Sequence, residues 1–199
     1  MGSKQENADI QHFNRRAATY EHAASQDYFF DRVQKQVLNL ARNNRPQVVL
    51  DVGCGTGRLL RKAKEQWPDA KLVGVDAADK MIEQARRLFP QAEFHVAMAE
   101  SLPLPDASVD IAFSTLSFHH WENQAKGVSE VARVLRPDGK FLLADITVPT
   151  WIAVFVKRFK RSKPSRVREV FEEAGLTVEA QQRQWGWLRV LLVTVGRKR

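Results

Sequence analysis

Apolar positions along this chain alternate between two rhythms, a helical spacing of three and four residues and short unbroken runs. Ile10, Phe13, Ala17 and Tyr20 form a helical stripe through residues 9 to 22, and Phe30, Val33, Val37, Leu38 and Ala41 form another through residues 27 to 42. Val48 to Val52 is then a compact apolar run between Pro46 and a set of glycines, which predicts a buried strand leading into a tight loop. Helical spacing resumes at once, with Leu59, Leu60 and Ala63 on one face of Arg58 to Trp67. Further strands are predicted at Lys71 to Asp76, Glu93 to Met98 and Val109 to Ser114, and an amphipathic helix from Glu122 to Leu135. A Pro-Asp-Gly turn leads into a fifth strand. A helix over residues 165 to 174 is stopped by Gly175, and Leu176 to Gln182 and Trp187 to Val195 read as two strands around a turn. Strands alternating with helices predict an α/β protein.

At 199 residues the chain fits one domain with a substantial core. The 1–44 stretch reads as an N-terminal helical segment and 45–199 as the core, with 147–168 a candidate insertion over the site. Met1 to Asp9 is polar and no apolar run approaches the roughly 18 residues of a membrane span, so a cytoplasmic protein is expected. Cys54 is the only cysteine, which excludes an internal disulfide. The net charge of +8 is unevenly spread: residues 1 to 156 carry 19 basic and 19 acidic side chains, residues 157 to 199 carry 12 and 4. Basic character therefore belongs to the last quarter of the chain and does not describe the glycine-bearing part.

The chemistry concentrates at Asp51-x-Gly53-x-Gly55-x-Gly57. Strand, glycine loop and helix in that order aim backbone N–H groups and the positive end of a helix at an anionic ligand group. The nicotinamide and flavin fingerprint G-x-G-x-x-G is not met, because counting from Gly53 its last position is Arg58. Asp76 closes the second strand 19 residues beyond Gly57, near the offset at which doubly wound folds set a carboxylate against ribose hydroxyls. Cys54, inside the loop, reads as a small residue that fits there and not as a nucleophile, for no histidine stands nearby in sequence to activate it.

These residues resemble motif I and the second-strand acid of the class I S-adenosylmethionine-dependent methyltransferases. VARVLRPDGKF is similar to the helix, turn and strand of the ubiquinone and menaquinone C-methyltransferase type, and the likeness runs over about residues 45 to 146. The resemblance implies a Rossmann-like, doubly wound, seven-stranded, mostly parallel sheet with an antiparallel last strand in three α/β/α layers. It implies a loop of Asp51, Gly53, Cys54, Gly55 and Gly57 around the amino-acid end of S-adenosylmethionine, and Asp76 with Ala77 at the ribose. Met81 matches a methionine that packs on adenine. Met98 stands where relatives have an aspartate for the adenine amino group, leaving Met98, Ala99 and Glu100 to meet the ring edge, partly through backbone. Ala78 stands where relatives place a helix-starting serine, and Asp79 is expected to take over that cap. The F-N-x-x-A-x-x-Y pattern resembles a lid segment that folds over the cofactor, which makes Tyr20 a candidate contact. Ser114 to Trp121, after the fourth strand, is expected beside the transferable methyl group.

Methyl transfer from a sulfonium needs no proton on the leaving group, so positioning supplies much of the rate and only an acceptor with a tightly held proton needs a base. His119 and His120 are the candidates for that base, of which one can face the pocket. The remaining histidines show no metal-ligand spacing, and no metal is expected. The segment after the fourth strand, Ser114-Thr115-Leu116-Ser117, lacks the proline-rich run of amino-group DNA methyltransferases, and no Pro-Cys pair is present, which argues against DNA. A small hydrophobic acceptor is expected. Residues 151–168, apolar at Trp151, Ile152, Val154, Phe155 and Phe159 and basic at 157 to 163, leave three readings open: a solvated face, a membrane-surface contact, or RNA as partner or substrate. An S-adenosylmethionine-binding regulatory protein without turnover stands as the other class.

Overall fold

The computed structural model describes residues 2–22, 24–147, 163–185 and 190–199. The expected insertion and its basic run fall largely on residues 148–162, outside the described residues. In chain order the elements are α1 (Gly2–Arg16), a 3₁₀ turn (Ala17–His22), α2 (Ala24–Leu40), β1 (Val48–Val52), α3 (Arg58–Gln66), β2 (Lys71–Asp76), α4 (Asp79–Leu88), β3 (Glu93–Val96), β4 (Val109–Thr115), a 3₁₀ turn (Phe118–His120), α5 (Gln124–Val134), β5 (Leu135–Thr147), α6 (Pro164–Glu173), β6 (Leu176–Trp185) and β7 (Val190–Lys198).

One seven-stranded sheet runs β3-β2-β1-β4-β5-β7-β6. Strands β3, β2, β1, β4 and β5 pair in parallel, and β7 is antiparallel to both of its neighbours. The last strand is thus inserted between β5 and β6. Composition explains this: Leu191, Leu192, Val193 and Val195 are buried and suit an interior strand, whereas β6 carries the exposed Gln182 and Arg183 at the edge. The Pro-Asp-Gly turn is kept within β5. Its pairing with β4 jumps from Val109↔Leu135 to Ile111↔Lys140, and Asp138 takes a φ of 63° as the turn bulges out.

Alternating side chains of the sheet feed two apolar layers. Val49, Ile111, Phe113 and Leu142 pack with α2, α3 and α4, while Leu50, Val52, Ala112 and Phe141 pack with α5 and α6. Helix α2 is a full member of the first layer, with Val33, Val37, Leu38 and Ala41 buried there. Of the residues before β1, those of α1 and the turn after it lie apart, where Ile10, Phe13, Ala17 and Tyr20 pack on Ala78 and Met81. No helix among the described residues is long and apolar enough to cross a membrane.

The α6 side is pinned by Phe171, which stacks on Phe141 with ring centroids 5.1 Å apart and an interplanar angle of 8°. Gly196 of β7 has no Cβ because one would lie 2.6 Å from that ring. Phe171→Ala is expected to destabilise the fold by about 3–5 kcal/mol, read as a lower midpoint in chemical denaturation. A loss below about 1 kcal/mol would show that this layer closes over the gap.

Candidate functional site

Strand order reverses between β1 and β4, so the loops that follow these two strands diverge and leave a crevice at their carboxyl ends. The loop after β1 is drawn back across β2: Gly53 and Cys54 N–H both donate to the Val75 carbonyl, at 2.7 and 3.0 Å. Gly55 N–H donates to Asp76 Oδ2 at 2.8 Å, and Asp76 Oδ1 accepts from Ala78 N–H at 2.9 Å. One carboxylate thereby ties the glycine loop to the start of α4. A left-handed φ of 76° at Gly53 is combined with close approach, since a Cβ there would fall 2.1 Å from Ser117 Oγ. At Gly55 a Cβ would meet only Tyr20, at 3.9 Å, so this glycine opens the floor of the crevice.

From the β4 side, Ser117 Oγ donates to the Val52 carbonyl at 3.1 Å and accepts from Trp121 Nε1 at 3.2 Å. Leu116 is held at φ 57°, an uncommon conformation for leucine. Its N–H is fixed to the Ala144 carbonyl at 2.8 Å, which turns the chain into the crevice mouth. The cavity so formed holds about 1160 Å³ including its open mouth. The third side comes from α1, its following turn and α2, through Asp9, Ile10, Phe13, Tyr20, Phe30 and Gln34.

Most of the predicted site residues meet here: Tyr20, Asp51, Gly53, Cys54, Gly55, Asp76, Ala77, Met81, Met98, Ala99, Glu100 and His120 all line the cavity. Three do not. Gly57 lies behind the loop, where a Cβ would meet the Phe94 ring at 2.9 Å. Ser114, expected beside the ligand, is fully buried in β4 with its Oγ 3.0 Å from Ser117 Oγ, because alternation along the strand turns it beneath the loop. His119 and His120 separate. His120 faces the cavity with Nδ1 3.1 Å from Asp9 Oδ2, while His119 turns inward with Nδ1 2.7 Å from the buried Asp145 Oδ1. Their rings remain in contact, centroids 4.0 Å apart.

Asp9, Gln34 and Arg58 line the cavity and were not singled out by the sequence. A signal existed for two of them. Asp9 lies four residues before Phe13 on the same helical face, and Gln34 interrupts an otherwise apolar face of α2. Gln34 is buried and its Oε1 accepts from Lys62 Nζ at 2.7 Å.

The site is rich in acceptors. Among the described residues three buried side-chain atoms have no hydrogen-bond partner, Asp51 Oδ1, Glu100 Oε2 and Asp145 Oδ2, and the first two belong to cavity residues. The other Glu100 oxygen accepts from Asn123 N–H at 2.8 Å at the start of α5. Burial, with Asp76 close by, pushes the Asp51 carboxyl up to about 8. Burial also raises Asp76, against the pull of the Ala78 and Gly55 N–H groups. Burial, Asp76 and Asp51 together push the Cys54 thiol well up, which leaves it a thiol and not a nucleophile. His120 is held below its ordinary value, first by burial and then by His119, with Asp9 and Asp145 pulling the other way.

Residues 50–143 match the family described as "Methyltransferase domain". The chain is 34% identical over 140 residues to a malonyl-[acyl-carrier protein] O-methyltransferase of Hahella chejuensis, covering 69% of this chain and 49% of that protein. It is 30% identical over 116 residues to a demethylmenaquinone methyltransferase of Thermotoga maritima, covering 58% and 51%. The chain thus spans about half the length of these relatives. Its fold is that of 1,6-didemethyltoxoflavin-N1-methyltransferase of Burkholderia thailandensis, solved with 1,6-didemethyltoxoflavin and S-adenosylhomocysteine bound. The TM-score is 0.75 at 18% identity, over 100% of this chain and 90% of that one.

Asp51 gives the site a measurable proton linkage. Its folded carboxyl keeps a proton that the unfolded chain releases above the ordinary value of 3.8, so its contribution to stability falls as pH rises from 3.8 to about 8. Asp51→Asn is expected to flatten that slope. A ligand bearing an ammonium group beside Asp51 reverses the preference, and S-adenosylhomocysteine is expected to release about one proton on binding at pH 7. Calorimetry in buffers of different ionisation enthalpy measures it, and equal heats in all buffers would refute the assignment.

Proposed function

We propose that this chain, which carries a class I S-adenosylmethionine-dependent methyltransferase domain, moves a methyl group from that cofactor to a small apolar acceptor held beneath α1. The observation that carries this reading is the composition of one cavity. Its floor is the glycine loop with Asp51 and Asp76, and its outer wall is Ile10, Phe13, Leu116 and Trp121. The acceptor atoms left without partners, Asp51 Oδ1 and Glu100 Oε2, fit a ligand that brings positive charge and N–H donors. S-adenosylmethionine is such a ligand, and when bound it supplies a methyl group on a sulfonium.

In this reading Asp51 and the loop from Gly53 to Gly55 hold the amino-acid end. Each Asp76 oxygen already accepts one backbone N–H and keeps lone-pair capacity for a ribose hydroxyl. Met81 and Ala99 flank the base, with Glu100 at its edge. The lining from α1 and the loop after β4 excludes water and holds the acceptor in line, which supplies the larger part of the acceleration.

His120 removes the acceptor's proton where the acceptor has one to lose. Its Nδ1 is turned to Asp9, which leaves Nε2 as the ring's second nitrogen. Because burial depresses its titration below 6.5, the neutral, proton-accepting form prevails at neutral pH. His119, committed to Asp145, takes no direct part.

Calorimetric titration with S-adenosylmethionine, then a mass-spectrometric search of pooled metabolites for products one methylene heavier, tests the function. Binding with an apolar methylated product is the expected result. Tight binding with no product from any pool would instead favour a cofactor-binding protein without turnover. For the base, turnover is expected to be level above pH 6.5 and to fall only below it. His120→Ala is expected to slow turnover roughly 10²–10⁴-fold while S-adenosylhomocysteine still binds. Unchanged turnover in that variant removes His120 from the chemistry.

A further inference from the structure

A helix begins with four N–H groups that its own turns cannot satisfy, and the residue just before it ordinarily supplies the missing acceptor. Before α4 that residue is Ala78, in the extended conformation of a capping residue (φ −87°, ψ 107°) and with no side-chain oxygen to offer. Asp76, two residues earlier, is committed to Ala78 and Gly55. Asp79, expected from the sequence to take over the cap, does not do so. Its Oδ1 accepts from Asn14 Nδ2 at 2.6 Å, and Asn14 Oδ1 accepts from Lys80 N–H at 3.1 Å.

We propose that Asn14 of α1 is the N-cap of α4, so that the segment covering the cavity and the helix forming its wall are completed by each other. The Lys80 N–H is the second of the helix, one that a local serine or aspartate would serve. The amide uses both of its halves, accepting from the helix and donating to Asp79, and this fixes its orientation, since a flipped amide would set donor against donor at Lys80. Asp79 is in turn well placed as a negative charge in the first turn. Directly beneath, Ile10, Phe13, Ala17 and Tyr20 close on Ala78 and Met81, so cap and apolar contact act on the same turn. Lifting α1 therefore uncaps the turn that carries Met81 into the cavity. Whatever binds against Met81 stabilises the covering helix, and the covering helix strengthens that binding by the same factor.

Asn14 is a positioning residue in this account, and only the binding readout of its test rests on the cavity being the cofactor site. S-adenosylhomocysteine affinity by calorimetry and amide hydrogen exchange at residues 79–82 are measured in four proteins: wild type, Asn14→Ala, Ala78→Ser, and the double variant. Asn14→Ala is expected to bind about fivefold more weakly, the equivalent of one lost cap, and to exchange faster at residues 79–82. The double variant, with a serine cap of its own, is expected to recover both while residues 9–17 continue to exchange fast. Wild-type affinity and exchange in Asn14→Ala would overturn the proposal. So would a loss that the serine fails to recover although Ala78→Ser alone behaves as wild type. Should the serine itself disturb the buried site, exchange in Asn14→Ala against wild type decides alone. If no protein binds S-adenosylhomocysteine, the cofactor assignment falls and the exchange result still decides the cap.

Discussion

The structure turns on one carboxylate, Asp76, shared between two backbone N–H groups from different elements. Two of the loop glycines lie close against protein, Gly53 against Ser117 and Gly57 against Phe94, whereas Gly55 faces the open crevice and has no side chain to hold it in place. Asp76 restores the constraint by fixing Gly55 on one side and Ala78 on the other. Because β2 lies against β1 in register, with Asp51 opposite Gly74, the acid arrives at the loop without any long excursion of the chain. The spacing from Gly57 to Asp76 is thus a geometric quantity, the length of one helix and one strand.

Charge follows from the same arrangement. Burial raises the Asp51 carboxyl, and the nearby Asp76 adds to the rise. In the proposed reading the buried acid is neutral without ligand, and a cationic group beside it favours the charged form, so the site would select by charge as well as by shape. The apolar outer wall serves the second requirement of the proposed chemistry, a dry space in which a sulfonium meets an acceptor.

The N-terminal helix joins these two halves. Asp9 reaches the loop after β4 through His120, Asn14 reaches the start of α4, and the apolar residues between them cover Met81. Contacts on both banks of the crevice mean that the helix cannot leave one without disturbing the other. Local sequence around α4 is incomplete by the usual rules of helix capping, and the deficiency is made good 66 residues away.

The layered α/β architecture, the glycine loop, the acid at the end of β2 and most of the cavity lining were legible in the chain, because each rests on local patterning. Apolar runs mark buried strands, glycines mark left-handed turns or close approaches of the backbone, and an acid at a strand end marks the edge where ligands sit. Tertiary structure alone decided the rest. The insertion of β7 between β5 and β6 depends on which strand can bury both faces, a comparison between segments that no single segment contains. His119 and His120 are equivalent in sequence, and only the buried Asp145 and the approaching Asp9 set them apart. Ser114 was lost to the interior by strand alternation next to a turn whose left-handed Leu116 sequence pattern does not announce. Asn14 acquires its role through a contact distant in sequence, and local propensity carries no information about which helix end a distant side chain will reach.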